Sequence, residues 1–256
     1  MIDATAISAA LEAAADGWTA RMMRREVQPL RGLRGVPNGP LARLIDGFAR
    51  QNVDLDRDAA ELDRLFGSAL EDGLVAIALV ASRLPSAPDA AWDLGRSWLG
   101  RIDDVRSADD LGWLVLGPAA LAAGQGSSPL LHLRATQPPV GRRALVAAAM
   151  AFLPVPIEGP AAAGLRATLE QRSLAFVAEA RTADLAAFAS AFFRDEAPQV
   201  QKGVRRLLRA WGTADPAGLV VWADTVRGGF PKLLGEDVLR ARRRLARTES
   251  RENAEL

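Results

Sequence analysis

Along Pro198 to Trp211 the apolar residues Val200, Val204, Leu207, Leu208 and Trp211 recur at i, i+4, i+7, i+8 and i+11, the spacing of a buried helical stripe. Between them Lys202, Arg205, Arg206 and Arg209 recur at i, i+3, i+4 and i+7, so one helix carries an apolar face and a cationic one. Asp195 to Pro198 reads as its capped start. Gly212 reads as its stop, followed by Asp215 as an N-cap and Pro216 at the first position of the next helix. Cationic residues at these spacings repel one another by a few tenths of a kcal/mol per pair, a mild strain that a polyanion would relieve.

The same period runs through the rest of the chain, while sustained alternation with β-branched residues is absent. Helices are predicted from Asp3 or Thr5 to about Ala15, over Trp18 to Val27, from Pro40 through Gln51, and over Arg57 to Ser68 and Leu70 to Leu84. Further ones are expected over Pro88 to Ile102, Ala108 to Ala123, Pro129 to Ala135, Val140 to Leu153, Pro160 to Leu169 and Ser173 to Ala180. Thr182 to Phe193, Pro198 to Trp211, Asp215 to Val226 and Phe230 to about Arg247 complete the set. Short amphipathic helices between Pro/Gly turns, paired roughly every 35 to 45 residues, predict an all-α, HEAT-like helical-repeat solenoid, a right-handed superhelix. A single domain is expected over 1–248, followed by a polar, disordered tail at 249–256.

Composition narrows the chemistry. The 256 residues include no Cys and one His, which removes thiolate nucleophiles, disulfides and Cys-based zinc sites and predicts neither metal nor cofactor. His132, within Leu130 to Leu133, reads as a satisfied, semi-buried side chain. Lys and Arg number 32 against 31 Asp and Glu, so any nucleic-acid surface must come from uneven placement of charge. Candidates are Arg31 and Arg34 in an early Gly/Pro loop, Arg142 and Arg143, the four cations of 202 to 209, and the arginines from Arg240 to Arg247. The N-terminus lacks a secretory pattern, and the longest uncharged run, Leu111 to Leu133, is broken by Gly117-Pro118 and a Gly/Ser turn. A cytoplasmic, nucleoid-associated monomer with no membrane contact is expected. Asp109 and Asp110 read, on spacing alone, as first-turn carboxylates of a helix.

In order, Leu33-Arg34-Gly35-Val36-Pro37, Asp109 with Leu111 and Gly117 behind it, Val140-Gly141-Arg142-Arg143-Ala144, and Val200 to Arg209 resemble segments of the AlkD-like DNA alkylation repair proteins, HEAT-like repeat DNA glycosylases. The last is similar to that family's Val/Ile-x-Lys-Ala-Ile-Gly-Trp-x-Leu-Arg helix. The resemblance implies a basic concave surface on double-stranded DNA and hydrolysis of the N-glycosidic bond of a cationic N3- or N7-alkylated purine. It implies Asp109 as the catalytic carboxylate and Arg142 as a phosphate contact. Arg34, Arg143, Lys202, Arg205, Arg206 and Arg209 fall to DNA binding. Two positions depart from the pattern: Val105 and Arg206 stand where the family has Trp, and Arg206 would repel a cationic lesion. Trp113, one turn after Asp109, offers a substitute face or belongs to the core. Three functions are left open: an N-glycosylase, a non-catalytic DNA-binding relative, and a protein-binding scaffold.

Overall fold

The computed structural model describes residues 2–26, 31–51, 53–124, 126–153, 181–226 and 229–252. Among them every regular element is helical, the one extended pairing being a single parallel bridge between Gly32 and Ala69. The helices expected over Pro160 to Leu169 and Ser173 to Ala180 lie outside the described residues.

Helix α1 (Ala4–Ala13) starts where the Asp3 carboxylate accepts the Ala6 N–H at 3.0 Å. After α2 (Gly17–Glu26), the chain reaches α3 (Asn38–Ala49) through the loop around Gly35. Gly35 has φ +85°, and a Cβ there would lie 2.5 Å from Ala20, so only glycine fits. The loop is held from below by the buried Glu71 carboxylate, which accepts the N–H groups of Arg34, Gly35 and Val36 at 3.1, 2.7 and 3.1 Å.

Helices α4 (Ala59–Gly67), α5 (Leu70–Arg83) and α6 (Pro88–Trp98) follow. Then α7 (Val105–Leu111) runs without a break through one π-helical turn, Gly112–Leu116, into α8 (Gly117–Ala122). This rod starts three residues earlier than the apolar spacing predicts, because Asp104 caps it by accepting the Ser107 N–H at 2.7 Å. A short α9 (Ser128–His132) leads to α10 (Pro139–Ala148). Beyond come α11 (Thr182–Phe192), α12 (Pro198–Ala214), α13 (Pro216–Thr225) and α14 (Lys232–Glu252).

Two boundaries near the C-terminal end also differ from expectation. Gly212 does not stop α12, since it packs closely against Leu219 and Ala241 and the helix continues to Ala214, where Asp215 accepts the Gly218 N–H at 2.8 Å. Helix α14 extends to Glu252, past the expected end near Arg247.

One connected apolar core runs from Ile2 to Ala241. Helix α5 packs on α7, α7 on α10, α10 on α12, and α12 on α14, so neighbours in space follow the order of the chain. This is an all-α helical-repeat fold. The arginines brace the row by reaching carboxylates of adjoining segments. Arg31, 9% exposed, donates to the Phe66 carbonyl at 2.6 Å and to Asp104 at 2.7 Å, and pairs with Asp103 at 3.2 Å. Arg31 is thereby enclosed, not part of an open basic surface.

Candidate functional site

The centre of the site is made by close backbone approach. A Cβ on Gly112 would fall 2.1 Å from the Ala144 carbonyl oxygen, and one on Gly117 would fall 2.3 Å from that of Ala148, so α10 lies directly against the π turn. On the far side Gly203 of α12 packs on Val146 of α10, a Cβ there meeting Val146 at 3.4 Å. Three elements distant in sequence are thus drawn together, and their polar side chains meet at the edge of the contact.

Asp109 of α7 sits at that edge. Arg143 of α10 donates to it through both Nε (2.8 Å to Oδ1) and Nη2 (2.7 Å to Oδ2), and its Nη1 donates to the Gln199 carbonyl at the start of α12 (3.1 Å). Arg206 of α12 donates to the same Oδ2 at 3.1 Å, and its guanidinium stands over the Trp113 ring at 5.7 Å from the centroid. The two arginines differ sharply in exposure, 11% for Arg143 and 51% for Arg206. Asp109, Trp113, Val146, Met150, Gly203 and Arg206 line a notch enclosing about 10 Å³, room for roughly one water. Trp113 is half-buried, and its indole N–H is enclosed without an acceptor among the described residues. Trp113 therefore belongs both to the packing and to the notch wall.

The carboxyl of the adjoining Asp110 has no hydrogen bond among the described residues. Burial pushes its carboxyl up to about 6; Arg106 opposes the rise, and the negative charges of Asp109 and Asp104 add to it.

The other sequence-derived candidates divide between neighbouring places. Arg142 turns away from Asp109 and donates to Asp195 at 2.7 and 3.1 Å and to the Gln137 carbonyl at 3.1 Å. Burial raises the Asp195 carboxyl, but the Arg142 bond and the Ala197 N–H outweigh it, and Asp195 ionises below the usual carboxylate range. Arg205 and Arg209 both bond Asp237 of α14, at 3.0 and 2.9 Å, and Asp237 is buried. Lys202 is exposed, forms no ion pair among the described residues, and lines a cavity of about 730 Å³ with Asp195, Arg205 and Lys232. Arg34 is at the N-terminal end of the row, bonded to Asp72 at 2.6 Å and to Glu12. His132 is exposed, contrary to the semi-buried reading, because the single turn of α9 buries Leu130 and leaves its other side to solvent. Among the described residues no group of His, Cys, Asp and Glu is placed to hold a metal ion, and no helix is long and apolar enough to cross a membrane.

The convergence missed by sequence reasoning is the Asp109–Arg143 pair. Arg142 and Arg143 are adjacent, and only the helical phase of α10 against the π turn decides which one faces Asp109.

Comparison with known families matches the chain to the DNA alkylation repair enzyme family over residues 7–254. The chain belongs to that family. No curated protein and no solved structure matches it.

Proposed function

We propose that the chain binds duplex DNA and acts on the N-glycosidic bond of cationic N3- or N7-alkylated purines, with Asp109 as the carboxylate at the reacting sugar. The observation that carries this reading is the meeting of Asp109, Trp113 and Arg206 in one notch, with Arg143 bonded to Asp109, in a chain whose family repairs alkylated DNA. An alkylated purine is already positive, so cleavage of the C1′–N bond sends its electron pair to the base, which leaves neutral. The sugar is left as an oxocarbenium, and a negative carboxylate beside it stabilises that charge. Water then adds its oxygen to C1′ and gives up one proton. Trp113 supplies an aromatic face able to hold a cation, a contact worth about 0.5 to 2 kcal/mol. Lys202 and Arg206 are the exposed cations of α12 that are not bonded to the buried Asp237, and phosphates would meet them first.

A second reading is favoured by one feature: both oxygens of Asp109 are taken by Arg143, and Arg206 shares one of them. A carboxylate so neutralised stabilises an oxocarbenium poorly, which suits a DNA-binding relative without glycosylase chemistry. Base release from methylated duplex DNA separates the two. We expect weak release by the wild type and none by Asp109→Asn, which keeps shape and removes charge. Undiminished release by Asp109→Asn would remove this residue from the mechanism, whereas binding without release in both proteins would select the second reading. Release gained in Val105→Trp, Arg206→Trp would mark a DNA cradle lacking its aromatic clamp.

A further inference from the structure

We propose that Arg206 is a tethered cation occupying the chain's own cation seat, and that a phosphate group is what draws it out. The inference rests on the DNA-binding reading for the source of that phosphate, but its geometry is independent of any reaction.

An aromatic face beside a carboxylate is a seat for a positive charge, because the ring quadrupole and the carboxylate attract the same ligand. In this structure that seat is filled from within. The Arg206 guanidinium stands over Trp113 and donates to Asp109, whose sequence separation from Arg206 of 97 residues shows that the contact is made by the fold and not by local chain geometry.

The two arginines on Asp109 are not equivalent. Arg143 makes three bonds, to both oxygens of Asp109 and to the Gln199 carbonyl, and is nearly enclosed, so it belongs to the scaffold. Arg206 makes one hydrogen bond at 3.1 Å and one ring contact, and half of its side chain faces solvent. A half-exposed ion pair and an exposed cation–π contact are each worth a factor of about ten or less in equilibrium. A guanidinium binds phosphate in a bidentate manner, through stronger charge-assisted bonds. Lys202, one turn earlier on α12, is exposed and without an ion pair among the described residues, so an arriving phosphate meets a cation beside Arg206. Transfer of Arg206 to that phosphate uncovers the Trp113 face and leaves Asp109 paired with Arg143 alone, one of its two guanidinium charges removed. Arg206 therefore ties access to the cation seat to the presence of a polyanion.

The indole of Trp113 reports the state of the latch. Its emission is isolated by subtracting the spectrum of Trp113→Phe from that of the protein carrying Trp113. Acrylamide quenching of this difference signal is measured alone, with saturating duplex DNA, and with tripolyphosphate as a probe that needs no DNA site. DNA binding itself is followed by anisotropy of a labelled duplex. We expect quenching to rise about two-fold or more with either polyanion, and to be already high and insensitive to polyanion in Arg206→Ala. Arg206→Lys should fall between, since an ammonium makes the ion pair but lacks the fork. Equal quenching in wild type and Arg206→Ala overturns the latch, as does a wild-type signal that neither polyanion changes. Absence of any anisotropy change overturns the DNA-binding reading, while a response to tripolyphosphate in that case leaves the latch standing with a different anion as its trigger.

Discussion

Asp109 and Asp110 are adjacent carboxylates with opposite circumstances, and the contrast shows how little one residue of helical phase leaves to composition. Asp109 is bonded by two guanidiniums, whereas the Asp110 carboxyl has no hydrogen-bond partner among the described residues and ionises only near 6. Its folded value lies above the ordinary 3.8, so the fold favours the protonated form. That preference helps the folded state at low pH and is lost as pH rises from about 4 through 6. Asp110→Asn removes the ionisation altogether. We expect this substitution to stabilise the protein by about 1 to 2 kcal/mol at pH 7.5 and by almost nothing at pH 4. Thermal melts of both proteins at the two pH values check it; a gain of the same size at pH 4 would mean that the charge is not the cause. The sequence alone placed both residues in a helical first turn, whereas the helix starts at Val105 and they lie beyond that turn; it had no means to separate them, because desolvation depends on how the surrounding elements pack.

At the scale of elements, spacing did most of the work that spacing is able to do. The apolar stripe of Pro198 to Trp211 is the buried face of α12, with Val200, Val204, Leu207, Leu208 and Trp211 all enclosed. The Asp215-Pro216 start of α13 was equally legible, since cap and proline are local chemistry. Illegible were contacts that depend on a missing side chain. Gly117-Pro118 read only as a break in an uncharged run, yet Gly112 and Gly117 are where α10 closely approaches the rod, which passes through its π turn at that contact. Gly203 looks the same in sequence but meets its neighbour at ordinary distance. Substitution distinguishes them. Gly112→Ala should destabilise by about 1 to 3 kcal/mol, since its Cβ meets a backbone carbonyl that cannot swing aside. Gly203→Ala should be neutral or stabilising by up to about 1 kcal/mol, from the better helix propensity of alanine. Urea unfolding midpoints measure both, and equal losses would show that α10 can move away from the π turn.

For the molecule as a whole, the near balance of 32 cationic and 31 acidic residues has a structural meaning that the linear pattern hid. The cationic stripe at 202 to 209 suggested four side chains awaiting an anion. The fold instead gives Arg205 and Arg209 to the buried Asp237, and Arg206 to Asp109, leaving Lys202 without an ion pair among the described residues. Two kinds of arginine therefore share one helix face, one holding α14 in place and one exchangeable. The consequence is measurable in two observables. For the DNA-binding reading, each phosphate neutralised contributes about 0.9 to the slope of log affinity against log salt. Replacing Lys202 and Arg206 by Ala should flatten that slope by about one to two units and leave the melting temperature nearly unchanged, because exposed charges contribute little to stability. Replacing Arg205 and Arg209 by Ala should do the reverse. Asp237 would be left buried with only Arg240 at 3.5 Å, at a cost of about 1 to 3 kcal/mol, less than for a fully enclosed pair because Arg209 is half exposed. The salt slope of that second variant, measured well below its melting temperature, should stay close to the wild-type value. If both double variants lost slope equally, the arginines on Asp237 would be exchangeable too, and the division of this helix face into braces and free cations would be wrong.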